Sequence, residues 1–340
     1  MNGASTRGHV WAIVLAAGSG TRLSSITRDD SGNTVPKQFC SLHGGPSLIR
    51  QALARARSVV SRDRIMAIVS PAHVRYWKPA LSELADGNII VQPHDRGTAV
   101  GILLPILCIL ARDPEARILI LPSDHHFADE SVIKNALRLA IDDVGHHRVG
   151  VVLLGIDADE PDPELGYIMP RAGDRTRLRA VHQFVEKPGI EEARRLCREG
   201  ALWNSFILVS RAQSLLELYR RRHSHLVQAL QAIRLHDYAQ LLQAYLELPE
   251  VDFSRHIAAD QAQQLSVMAV PRCGWNDIGT PHRLAQTLAC GVQASAPRAA
   301  QESTAGSVIL SERFERLHSL DALQACGRLS GAMSSALRPA

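Results

Sequence analysis

Over its first 160 residues the chain alternates short apolar runs, rich in Val and Ile, with segments whose apolar residues recur every three to four positions. Residues 10–15, 65–69, 88–92, 117–121 and 149–156 read as strands, and 47–60, 99–111 and 131–144 as helices. The first helix carries Leu48, Ile49, Ala52, Leu53, Ala56, Val59 and Val60 along one stripe; the last carries Val132, Ile133, Ala136, Leu137, Ala140, Ile141 and Val144. The strands are apolar throughout, so both of their faces must be covered. This pattern confines the chain to an α/β fold, with a parallel sheet covered by helices on both faces and right-handed crossovers.

The second half is less regular. Strands are predicted at 179–185, 205–209 and 266–270, and helices at 214–233 and 238–248. After residue 293 the text becomes rich in Ala, Ser and Pro. That predicts one domain over 1–292 and then a linker and weakly helical tail, with the helical part at 310–329.

Composition narrows the function classes. Of 340 residues, 38 are Lys or Arg and 34 Asp or Glu, a net charge of +4. So thin a surplus excludes a dedicated nucleic-acid binder and suits a small anionic ligand. With aromatic residues at 4%, a stacking platform for single strands is excluded as well. Cys40, Cys108, Cys197, Cys273, Cys290 and Cys326 form no C-x-x-C pair, which predicts reduced thiols. The stretch 99–111 contains Pro105 and falls short of the roughly 20 residues that span a bilayer. No apolar leader is visible at the N-terminus. The expectation is a cytoplasmic protein with no membrane or nucleic-acid partner; a homo-oligomer is compatible with it.

Four places carry polar residues where a parallel sheet would gather a ligand. The first is the turn after strand 10–15, Ala16-Ala17-Gly18-Ser19-Gly20-Thr21-Arg22-Leu23. Gly18 and Gly20 let backbone N–H groups approach a phosphate, a following helix N-terminus would add its dipole, and Arg22 offers a forked donor. Lys37, in Pro36-Lys37-Gln38-Phe39, adds a point charge. A simple tight turn explains the glycines equally well. Leu23 stands where the dinucleotide fingerprint needs its third glycine, and no Walker loop is present. The second place is Leu121-Pro122-Ser123-Asp124-His125-His126, where Asp124 is either a ligand or a helix cap. The third, Glu186-Lys187-Pro188, is either a binding pair or a solvated face. The fourth is Trp275-Asn276-Asp277-Ile278-Gly279-Thr280, where Asp277 is either a ligand or a turn former.

In this order, together with Gly166-Tyr167-Ile168 and Trp203-Asn204-Ser205-Phe206, these motifs resemble the sugar-1-phosphate nucleotidyltransferase family over residues 10–290, and within it the mannose-1-phosphate guanylyltransferases. The resemblance implies the nucleotide-diphospho-sugar transferase fold, a Rossmann-like nucleotide half joined to a sugar-phosphate half around one mixed, mostly parallel sheet flanked by helices. It implies attack of a sugar-1-phosphate (mannose-1-phosphate) on the α-phosphorus of a nucleoside triphosphate (GTP), giving GDP-mannose and pyrophosphate, with Mg²⁺ on Asp124 and Asp277. Arg22 would brace the leaving pyrophosphate and Lys37 would lie near the reacting phosphates. Lys187 would hold the sugar phosphate, and Gly166, Glu186 and Asn204 would contact sugar hydroxyls. The nucleotide would be met by Ala16, Ala17, Gly18, Gly20, Thr21, Gln92, Gly97 and Thr98. Two competing readings are the same chemistry with another base or hexose, and a catalytically silent regulatory protein of this fold. The presence of Arg22, Lys37, Asp124, Lys187 and Asp277 weighs against silence.

Three departures from the family pattern stand out. Gly97 replaces an Asn in the base-recognition loop, the loop 24–35 is long enough to form a larger lid, and Phe206 occupies a position where relatives carry Gly. The paired histidines His125-His126, His146-His147 and His223/His225 make poor joint metal ligands, because neighbouring strand side chains point to opposite faces.

Overall fold

The computed structural model describes residues 7–146, 150–173, 176–291 and 308–315. In chain order the elements are β1 (Val10–Ala16), α1 (Leu48–Arg57), β2 (Ile65–Val69), α2 (Val74–Ala80), β3 (Ile89–Val91), α3 (Gly97–Leu110), β4 (Arg117–Pro122), β5 (His126–Phe127), α4 (Glu130–His146), β6 (Val151–Asp157), β7 (Gly166–Pro170) and β8 (Leu178–Glu186). There follow α5 (Ile190–Arg198), β9 (Leu202–Arg211), α6 (Ala212–Gln231), α7 (Tyr238–Glu247), β10 (Ser266–Val270), β11 (Trp275–Asn276) and α8 (Pro281–Gly291).

The chain falls into two compact units. The larger holds residues 1–18 and 49–277; the smaller holds 19–48 and 278–340. The larger is built on one nine-stranded sheet, ordered β3-β2-β1-β4-β9-β6-β10-β8-β7, with β7 also pairing β9. β3, β2, β1 and β4 are mutually parallel, as their unbroken apolar character requires. β9 enters antiparallel to both β4 and β6, and the β7–β8 pair is antiparallel too. The fold is the mixed α/β architecture expected. α3 is apolar almost all round and nearly wholly buried, packed with β1, β4 and α6 in the main core. Among the described residues no helix is long and apolar enough to cross a membrane.

In the smaller unit the segment 24–35 is a short hairpin. Arg28 bridges Thr34, Val35 N–H donates to Thr27 C=O at 2.7 Å, and Asp29 Oδ1 accepts from the N–H groups of Ser31 and Asn33. Residues 308–311 run parallel to 41–42, and Leu310 is fully buried. Of the tail expected to be helical over 310–329, residues 310–315 are helical. The rest of it and the linker 293–307 lie outside the described residues.

Candidate active site

β1, β3 and β4 all end at the same edge of the parallel half-sheet, the edge at which such sheets bind ligands. Ala16 closes β1 and is followed by Ala17 and Gly18. Gln92 follows β3, its N–H donating to Val69 C=O. Ser123 and Asp124 follow β4, with Ser123 N–H donating to Leu15 C=O at 3.2 Å. The larger unit therefore brings the end of β1, Gln92 and Asp124 to one rim.

Gly20, Thr21, Arg22 and Lys37 belong to the smaller unit. The helix expected after the glycine turn is absent. Gly20, at φ 61°, leads into a single 3-10 turn over Thr21–Leu23, too short to present a helix dipole, because buried Leu23 turns the chain into the hairpin. Gly20 lies against Lys37, whose Cβ and backbone N would sit 3.3 Å from any Cβ added at Gly20. The Lys37 ammonium is buried and donates to the carbonyl of Ile278 at 3.0 Å, so the Pro36-Lys37-Gln38-Phe39 and Ile278-Gly279-Thr280 stretches meet.

The two aspartates are placed by a ribbon the sequence did not announce. β5 and β11 pair antiparallel, His126 opposite Asn276 and Phe127 opposite Trp275. Asp124 lies two residues before β5 and Asp277 one residue after β11, which sets both at one end of the ribbon. Trp275 Nε1–H donates to His125 Nδ1 at 3.2 Å. That bond puts the imidazole proton of neutral His125 on Nε2, which lies 3.8 Å from Asp124 Oδ1. Among the described residues no three His, Cys, Asp or Glu side chains form a metal cage. Two carboxylates at one ribbon end fit an ion that takes its remaining ligands from phosphate and water, as Mg²⁺ does.

Gly166, Glu186 and Asn204 come from three paired strands and converge. Gly166 stands opposite Glu186 in the β7–β8 register. A Cβ at Gly166 would fall 2.6 Å from Glu186 Oε2 and 3.3 Å from the Asn204 Cβ, so only glycine permits this approach. Burial pushes the Glu186 carboxyl above the usual glutamate range and the Asp252 carboxylate adds to the shift; Lys187, the Ser254 hydroxyl and Arg255 oppose it. Lys187 is exposed at φ 50°. Phe206, at φ 57°, packs edge-on against Phe253 with centroids 6.2 Å apart, narrowing the space beside Asn204. Asp252, Ser254 and Arg255 were not found from the sequence. Asp252 precedes, and Ser254 and Arg255 open, a single π-helical turn over Ser254–Ala259, too short to carry a detectable period.

The loop ahead of α3 holds Gln92, Gly97 and Thr98. Gln92 is only 5% exposed and its Oε1 has no hydrogen-bond partner; a Cβ added at Gly101 would lie 3.4 Å from that oxygen.

A glycine turn closing a parallel strand, an aspartate after the neighbouring strand and a separate polar cluster at Gly166, Glu186 and Asn204 make up the candidate site of this mixed α/β fold. Residues 11–290 match the family model for nucleotidyl transferases, and the chain belongs to that family. It is 29% identical over 280 residues to the xanthan biosynthesis protein XanB of Xanthomonas campestris pv. campestris (strain B100). It is 31% identical over 290 residues to the mannose-1-phosphate guanylyltransferase ManC of Salmonella typhimurium. Each match covers 80% of this chain and 58% of the relative, so the chain spans little more than half the length of these proteins. The solved structure of a mannose-1-phosphate geranyltransferase from Thermus thermophilus superposes with a TM-score of 0.72 at 26% identity, covering 86% of this chain and 81% of that one.

Proposed function

We propose that the chain is a sugar-1-phosphate nucleotidyltransferase that joins GTP and mannose-1-phosphate into GDP-mannose and pyrophosphate. The observation that carries this reading is the β5–β11 ribbon, which sets Asp124 and Asp277 at one end. An oxygen of the sugar phosphate attacks the α-phosphorus, the bond to the β-phosphate oxygen breaks, and pyrophosphate departs with the electron pair. No general base is needed, since a phosphate monoester is already ionised at neutral pH. Catalysis is then positioning and charge stabilisation. Asp124 and Asp277 would hold Mg²⁺, which supplies charge neutralisation for the phosphates when bound. Arg22 and Lys37 meet the triphosphate, with Ala16, Ala17, Gly18, Gly20 and Thr21 along its path. Lys187 holds the sugar phosphate; Gly166, Glu186 and Asn204 receive the sugar. Guanine is supported by the unsatisfied, buried Oε1 of Gln92, an acceptor suited to the N1–H and amine of that base. The name of the Salmonella relative points the same way.

The test is a panel of four nucleoside triphosphates against several hexose-1-phosphates with Mg²⁺, reading pyrophosphate release. GTP with mannose-1-phosphate should give the highest kcat/KM. Turnover of no pair would sink the reading, and a different best pair would correct the specificity alone.

A further inference from the structure

Residues 251–255 connect two regions that nothing in the sequence ties together. On one side they are fastened to the start of α3. Val251 N–H donates to Arg96 C=O at 3.0 Å, Ala99 N–H to Val251 C=O at 2.9 Å, and Phe253 N–H to Thr98 Oγ1 at 2.8 Å. The Thr98 hydroxyl in turn donates to Asp252 Oδ2 at 3.2 Å. Gly97, at φ +79°, is pressed so close that a Cβ there would lie 2.4 Å from Val251 O. On the other side Phe253 and Ser254 line one small cavity with Asn204 and Phe206, and the Glu186 carboxyl, which meets Asn204 at Gly166, carries a charge on which Asp252 and Arg255 both act. Five residues of chain thus reach from Thr98 at one end to the cavity beside Asn204, next to Glu186, at the other.

We propose that Asp252 and Ser254 are positioning residues that couple the nucleotide subsite to the sugar-phosphate subsite, so that filling either one orders the other. The proposal rests on the reading above, which gives Thr98 to the nucleotide and Glu186 to the sugar. The physical reason is shared ordering. A ligand that fixes Thr98 also fixes Asp252 and Phe253, and with them Ser254, so the second ligand meets a preorganised Glu186. Such coupling is reciprocal for binding: the sugar phosphate must tighten the nucleotide by the same factor.

The experiment is a double-mutant cycle in the full chain with Thr98→Val and Ser254→Ala, using GTP and mannose-1-phosphate. Thr98→Val should raise KM for mannose-1-phosphate although Thr98 is assigned to the nucleotide, and Ser254→Ala should raise KM for GTP, with kcat moving less in each. The effects on kcat/KM should depart from additivity by about 3- to 30-fold, inside the span seen for directly coupled pairs. Thr98→Ser keeps the hydroxyl and should restore both KM values. If Ser254→Ala does not fold, Asp252→Asn takes its place in the cycle. An additive cycle, or variants that each alter only their own substrate's KM, would overturn the coupling while leaving the activity assigned. A wild-type chain that turns over no pair in the panel would instead remove the reading on which the coupling rests.

Discussion

Lys187, Phe206 and Ile278 are non-glycine residues held at φ 50°, 57° and 48°, and each stands inside one of the sequence motifs. A side chain in left-handed backbone costs roughly 1–2 kcal/mol, which the surrounding structure must offset. Lys187 is exposed, so its strain is separable from packing. Lys187→Gly should raise stability in urea denaturation by about 1 kcal/mol after allowing for glycine's freedom in the unfolded chain. The same change should weaken mannose-1-phosphate binding; Lys187→Ala should lose the binding without gaining the stability. Glu186 makes a pH prediction. Its folded pKa is raised, first by burial and then by Asp252. The contribution to stability is therefore present below the ordinary glutamate pKa and lost as pH rises through the folded value. Binding runs the other way, because the ionised carboxylate is the better acceptor for sugar hydroxyls. Asp252→Asn removes the like charge and should move the acid limb of log kcat/KM for mannose-1-phosphate to lower pH. The substrate phosphate titrates near pH ~6 in both proteins, so the difference reports on Glu186. A limb that stays put or moves up would contradict this. Asp124→Asn should leave the fold intact by circular dichroism and lower turnover by about 100-fold or more, the scale seen when a charge-stabilising group is removed.

At the level of elements, the long amphipathic helices were legible. The stripes at 47–60 and 131–144 became α1 and α4 with ends shifted by a few residues, and 65–69 and 266–270 are β2 and β10 as read. The misses are short elements. β5 and β11 have two residues each and carry no period to detect, yet they place both aspartates. The helix expected after Gly20 failed because glycines after a strand signal a turn and leave the conformation of the next residues open. Another connection invisible in the sequence joins α1 to α4. Arg55, with a side chain 1% exposed, forks onto Glu130 through Nε at 3.3 Å and Nη2 at 2.6 Å and lies over the Phe127 ring. Glu130→Ala should cost about 2–4 kcal/mol, the lower end reflecting Glu130's partial exposure, because it strands a buried guanidinium. Arg55→Met on that background should recover much of the loss in the same denaturation assay.

Across the whole molecule, the sheet predicts its own pattern of local stability. β1 and β4 are paired on both edges and lie under α3, whereas β3 is an edge strand with half-buried residues. Hydrogen exchange should therefore be slowest in β1 and β4 and fastest, among the parallel strands, in β3. Equal protection of β3 and β1 would contradict the strand order. The sequence alone determined the α/β class, the parallel half-sheet and the motifs at its strand ends, because apolar runs, helical stripes and turn residues are patterns between near neighbours. Tertiary structure alone decided that Gly166, Glu186 and Asn204 converge, that β9 runs antiparallel into the sheet, and that Asp252 and Ser254 reach from Thr98 to the cavity beside Asn204. Those facts depend on strand register and on approaches between residues up to about 150 positions apart. No local periodicity encodes such distances, since they are fixed only when the core closes and the backbones meet.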